Sequence, residues 1–152
     1  MAKKPKTGDV VRITARRGYA YAQVSHIHKN FGCLLRILDG FFAPQQGIPN
    51  VGDFPEIFQT YMFYQDLLIS GYSEIVCNAP LRDEFKTHPL MRDGVRNPKT
   101  GKVGVWWLWD GIKEWPIGVL PENMRGLSLR GIWNYKMLID RIENGWRPDA
   151  EV

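Results

Sequence analysis

Four of the six tryptophans fall in one stretch, Gly101 to Gly118, GKVGVWWLWDGIKEWPIG. Asp110-Gly111 sits in its middle, flanked by strand-favouring residues. Asp-Gly tolerates the positive φ angles of a tight type I′ turn, so the stretch reads as a β-hairpin with a two-residue loop. That turn sets Trp109 opposite Ile112, Trp107 opposite Glu114 and Trp106 opposite Trp115. Opposed residues share a face, and faces alternate along each strand. One face carries Val105, Trp107, Trp109, Ile112, Glu114 and Pro116; the other carries Trp106, Leu108, Lys113, Trp115 and Ile117. Both faces are apolar at their centres, which predicts a central hairpin with structure packed on each side. The feature constrains the fold and specifies no chemistry.

At 152 residues, 44% apolar and 24% charged, the chain suits one globular domain with a substantial core. No apolar run reaches the length of a bilayer span. The opening MAKKPKTGD has no apolar segment behind it, so a cytoplasmic protein with no membrane partner is expected. Cys33 and Cys77 are then expected as free thiols. Charge is uneven: residues 1–36 hold eight basic residues against Asp9 alone, +7, while the remainder carries −3. A basic end can serve an anionic partner. Arg12, Arg16 and Arg17 are the candidates for that role, and Lys3, Lys4 and Lys6 are assigned to a solvated tail.

The predicted organisation is a disordered tail (1–7), one domain (8–148) and a frayed end (149–152). Strands are expected at Val10–Thr14, Tyr19–His28, Cys33–Leu38 and Phe41–Pro44, with turns at Ala15–Gly18, 29–32 and Asp39-Gly40. Three tight hairpins in succession suggest a small, SH3-like bent antiparallel sheet or partial barrel. A loop follows over Gln45–Pro55, then strands near Ile57–Tyr64 and Ser73–Asn78. Residues 80–100 read as loop with one helical turn near Asp83–Lys86. Tyr135, Leu138, Ile139 and Ile142 repeat as one helical stripe, with Asn134 as N-cap, Gly145 as the closing glycine and Trp146 folding back. The fold class is α+β, predominantly antiparallel β, with a C-terminal helix over Tyr135–Asn144.

Few residues cluster for chemistry. His26 and His28 share a strand face, but His88 lies far off in a loop and no cysteine stands at metal-ligand spacing, so no metal and no cofactor are expected. The cysteines sit in apolar strands, where thiols pack rather than react. There is no G-x-S-x-G elbow and no glycine-rich phosphate loop. Glu114 shares a face with Trp107 and could act as a general acid if enclosed among the rings; otherwise it reaches solvent or an arginine. The N-terminal sheet, with Tyr19, Tyr21 and Phe31 beside its cations, could bind nucleic acid by stacking. Trp107 and Trp109 are either core residues or interface anchors.

Gly8-Asp9-Val10-Val11-Arg12-Ile13, followed by Tyr19-Ala20-Tyr21-Ala22-Gln23-Val24, resembles the opening of the bacterial polymorphic-toxin immunity proteins of family twenty-six. Ala22 stands where that pattern has glycine. Arg141-Ile142-Glu143-Asn144-Gly145-Trp146 is similar to the family's closing helix. The resemblance implies a mostly β protein that binds and neutralises a cognate toxin, with no catalytic residues to carry over. Arg12, Arg16, Arg17, Tyr19, Tyr21, Trp107 and Trp109 are the candidate protein-binding residues. A nuclease toxin, basic so as to grip phosphate, would be repelled by the +7 end. The expected toxin therefore meets the more acidic body or is not a nuclease. A nucleic-acid-binding module and a small enzyme with its acid at Glu114 are the alternatives.

Overall fold

Period-two alternation builds the strands that dominate the fold, and the computed structural model describes residues 3–152. Strands β1 (Asp9–Ala15), β2 (Gly18–His28), β3 (Gly32–Leu38), β4 (Glu56–Met62) and β5 (Ser73–Asn78) form one sheet with β9 (Ile132–Trp133), in the order β5-β1-β2-β3-β4-β9. Every pairing is antiparallel except β4 with β9. A second sheet holds β6 (Met91–Asp93), β7 (Trp106–Trp109) and β8 (Glu114–Gly118), with β7 in the middle. Two helices, α1 (Tyr64–Leu67) and α2 (Tyr135–Glu143), complete the α+β fold. No helix among the described residues is long and apolar enough to cross a membrane.

The first sheet is open, not a barrel, with β5 and β9 at its edges, and Asp39-Gly40 acts differently from the expectation. That pair does not reverse the chain into a fourth hairpin strand. Instead it makes an excursion, with Gly40 at φ +94°, after which Phe42 rejoins the line of β3 and bonds with Tyr19 of β2 (N···O 2.8 and 2.9 Å). The approach is close, since a Cβ on Gly18 would stand 2.7 Å from the Phe42 carbonyl oxygen. Pro44–Gln46 is a helical turn, so the strand predicted over Phe41–Pro44 is a single bridge. The next strand is β4, paired antiparallel to β3.

One face of the first sheet is apolar: Val11, Ile13, Ala22, Val24, Leu35, Ile37 and Phe58 pack under α1 and α2. Helix α2 starts where Asn134 Oδ1 accepts the Met137 amide (2.8 Å). It closes through Gly145 at φ +67°, with the Trp146 amide on the Arg141 carbonyl (3.0 Å). Trp146 folds back onto Phe58 and Trp133 (ring centroids 5.2 and 5.4 Å). The opposite face meets the second sheet through Leu34, Tyr61, Met91 and Trp109.

Both ends of the described chain make contacts with the body. Met1 and Ala2 lie outside the described residues, but the Lys6 amide bonds Asp9 Oδ2 (2.9 Å) and the Thr7 carbonyl accepts from Asn78 Nδ2 (3.1 Å). At the other end Pro148–Ala150 is a helical turn, and Glu151 pairs with Arg141 (3.0 Å).

The tryptophan hairpin forms with its strand partners two residues out of the expected register. Trp109 pairs with Glu114, Leu108 with Trp115 and Trp107 with Pro116. Trp106 and Trp115 are therefore not cross-strand neighbours. The cause is Asp110, whose Oδ1 accepts the amides of Ile112 (2.9 Å) and Lys113 (2.7 Å) while its own amide bonds the Lys113 carbonyl (3.1 Å). The tight turn is thereby centred on Gly111-Ile112, with Gly111 at φ +99°. From Trp107 to Trp109 the predicted faces are kept, because opposing partners shift by two, while an irregularity between Trp106 and Trp107 puts Trp106 opposite Gly118. The hairpin is not central, however: β8 is an exposed edge.

Candidate functional site

The N-terminal candidates are committed to the fold to different degrees. Arg16 and Arg17 form the two-residue turn between β1 and β2. Arg16 pairs with Glu143 (3.2 Å), and Arg17 lies over Phe41 (5.7 Å). Arg12 pairs with Glu74 and lies over the Tyr19 ring (4.6 Å). Tyr21 is only 1% exposed, packed with Val10, Leu38 and Val51, so it offers no surface for stacking or docking. Cys33 is free and buried, and burial pushes its thiol up to about 11, which suits packing rather than nucleophilic work.

All three histidines converge between the sheets, which their sequence positions did not suggest. A bulge between Val24 and His26 re-aims the end of β2, and the His26 and His88 rings stand 5.4 Å apart. His88 packs against Trp109 (5.0 Å). Its Nδ1–H donates to the Pro89 carbonyl (2.7 Å), which leaves Nε2 to accept from the Tyr61 hydroxyl (2.7 Å). His26 Nε2–H donates to the Lys86 carbonyl (2.9 Å), and His28 Nδ1 accepts the Asn30 amide (3.0 Å). A metal ion would have to displace these bonds to reach the imidazoles.

Burial holds His88 below its ordinary pKa, reinforced by His26 and His28 and opposed by the Pro89 carbonyl and Asp110. Burial also pushes Tyr61 up to about 12, so the hydroxyl remains the donor. Neutral His88 contributes stability that is fully present above the unfolded histidine pKa of about 6.5 and is lost as pH falls below it, because the unfolded chain then binds the proton first. Urea melts at pH 7.5 and 5.5 should show wild type losing more stability than His88→Gln, whose amide oxygen can still accept from Tyr61. Equal losses would remove His88 as the acid-sensitive group.

A large cleft lies at the second sheet. Beyond the Asp93–Trp107 pair, the chain on either side of β6 and β7 continues as an arm. Arg96 bridges Val103, and the Asn97 amide bonds the Lys102 carbonyl (2.8 Å). Asn97 Oδ1 braces the tip by accepting the Lys99 amide (2.8 Å), and Gly101 closes the turn at φ +71°. Every residue from Val95 to Lys102 is exposed. The arm and the β7–β8 hairpin line a cleft of ≈ 920 Å³ that includes Val105, Trp107, Glu114 and Arg130.

Arg130 braces that cleft. Its Nε and Nη2 donate to Asp93 Oδ2 (3.0 and 2.7 Å), and its Nη1 donates to Glu114 Oε2 (2.7 Å). Glu114 is exposed and salt-bridged, not enclosed among rings as the general-acid alternative required. The two candidate tryptophans separate: Trp109 is 5% exposed and belongs to the core, whereas Trp107 is 36% exposed and lines the cleft.

The structure thus divides the sequence candidates. Arg12 and Tyr19 share a small pocket at one end of the first sheet, and Trp107 stands in the larger cleft of the second. Arg96, Lys99, Lys102 and Arg130 were missed. The signal that could have found three of them is the run from Gly94 to Trp109, which holds three cations and no acid. Set against known proteins, the chain matches no family model, no curated protein and no solved structure.

Proposed function

We propose that this chain is a non-enzymatic, cytoplasmic immunity protein that binds and neutralises a cognate bacterial toxin, using the second sheet as its binding face. The observation that carries the reading is exposed apolar surface along the cleft of that sheet, where Val95, Val105 and Trp107 all stand. Exposed apolar surface beside arginine and tryptophan is the composition of protein interfaces. The toxin class comes from the sequence resemblance. Its β1–β2 motif lies largely in the core, where Val10, Val11, Ile13, Ala20, Ala22 and Val24 are buried. That motif supports kinship of fold and leaves the choice of toxin to other surfaces.

Face-on docking suits this sheet better than strand addition. The Asp110–Lys113 bond fixes the alternation of hydrogen-bonded pairs along β8, which turns the nitrogen of Pro116 toward the free edge. Pro116 offers no N–H there, so the edge is a poor template for another strand.

The test is capture from the source bacterium with this protein as bait, followed by co-expression of the captured toxin. Growth rescue is the expected result. Trp107→Ala should cost less than about 1 kcal/mol of folding stability, since its ring is partly solvated. It should weaken toxin binding by about 2 kcal/mol or more. Undiminished binding by Trp107→Ala would reject the second sheet as the face. Retention of RNA or DNA that falls steeply with salt would favour a nucleic-acid module instead.

A further inference from the structure

The body of the chain is acidic in sum, yet the cleft of the second sheet is not. Two carboxylates line it, Asp93 and Glu114, and both are held by Arg130. The arm above adds Arg96, Lys99 and Lys102, which make no ion pair among the described residues. These three cations therefore set the sign of the field at the mouth of the cleft, and Trp107 with Val105 supplies apolar surface within it.

We infer that this cleft receives an acidic segment of a partner polypeptide, its carboxylates on Arg96, Lys99 and Lys102 and an apolar or aromatic side chain against Trp107. The inference rests on the protein-binding reading and deepens it by fixing the charge of the partner's contact surface. A polypeptide is favoured over nucleic acid for two reasons. Val95 and Val105 expose apolar surface at the arm, which a phosphate backbone cannot use. Asp93 and Glu114 remain beside the cations, where they would repel a continuous track of phosphates but leave room for a short acidic stretch. The volume of ≈ 920 Å³ is ample for several side chains. An acidic contact surface also accords with a toxin that does not grip phosphate through that surface.

A labelled random copolymer of glutamate and tyrosine is the probe, with a lysine–tyrosine copolymer and single-stranded DNA and RNA oligonucleotides as comparators, all read by fluorescence anisotropy. The glutamate–tyrosine copolymer should bind. Lys99→Glu/Lys102→Glu should weaken it by about tenfold or more, and Trp107→Ala should weaken it without altering its dependence on salt. Lys4→Ala, an exposed cation ahead of β1 and outside the cleft, should leave it unchanged. The changed lysines are exposed, and unaltered circular dichroism would show that the variants fold. The assignment is overturned by absence of copolymer binding, by binding that ignores the arm's charge reversal, or by oligonucleotide binding that the reversal abolishes. A captured toxin that still binds the Lys99→Glu/Lys102→Glu variant at full strength would also overturn it, while leaving the inhibitor reading intact.

Discussion

Arg92→Ala is expected to cost at least ~4 kcal/mol and to leave little folded protein at room temperature. Arg92 is 0% exposed and, among the described residues, makes no ion pair. Its Nε donates to the Leu127 carbonyl (3.1 Å) and its Nη1 to the Glu151 carbonyl (2.6 Å). Its Nη2 serves two more, Arg125 (3.1 Å) and Pro148 (2.6 Å), and Trp106 lies 4.7 Å from the guanidinium carbon. The clamp joins β6 to the 121–130 segment and to the chain end. Burial lowers its pKa, offset in part by Glu151 and Asp149. Two large effects oppose each other. Burying the cation costs several kcal/mol, whereas charged hydrogen bonds return roughly 1.5–3 kcal/mol each. Removing the side chain relieves the first but strands four carbonyls beside a cavity, so the loss dominates. Arg92→Met separates the contributions, because it refills the volume without donors. Urea melts should place Met between alanine and wild type. A methionine variant as stable as wild type would mean that the buried charge cancels its own bonds and that only the volume matters.

What the sequence disclosed was local, and what it hid was long-range. Helix α2 was legible because its stripe, Asn134 cap and Gly145 close all lie within one short segment. Strand β5 falls on the predicted Ser73–Asn78 for the same reason, bounded by Gly71 and the 79–80 break. Asp39-Gly40 and Asp110-Gly111 were read alike but do different things. At the first, the outcome depends on Phe42 finding Tyr19 across the sheet. At the second, the Asp110 carboxylate captures two amides and moves the turn by one residue. Strand β6 escaped notice because three residues, flanked by proline and glycine, give no periodic signal. The cleft required knowing that Asp93 and Arg130, far apart in sequence, are salt-bridged. His88 joined the other histidines only through the packing of the two sheets, where a Cβ on Gly111 would stand 2.7 Å from its ring.

Trp109→Ala is expected to cost ~3–5 kcal/mol, against less than about 1 kcal/mol for its neighbour Trp107. The two rings share one hairpin face but meet different surroundings. Trp109 is paired with Met91 and stands among Phe31 (5.1 Å), His88 (5.0 Å), His28 (5.8 Å) and Tyr61 (5.9 Å). Arg130 caps it, with the guanidinium 5.3 Å from the ring. Alanine there would open a cavity between the sheets, and the lining cannot fully collapse because Tyr61 and Met91 are held in strands. Trp109→Phe should recover part of the loss by refilling some of that space. The consequence for function is indirect: Trp109 anchors the sheet that presents Trp107 and the basic arm. Binding by Trp109→Ala should therefore fall in parallel with unfolding and recover when the protein is cooled or stabilised by an osmolyte. Binding by Trp107→Ala should stay weak in a fully folded protein. Urea melts read beside affinity measurements at two temperatures decide the matter. Equal stability losses for the two variants, or a binding defect in Trp109→Ala that persists when the protein is folded, would mean that the core and interface roles have been assigned to the wrong rings.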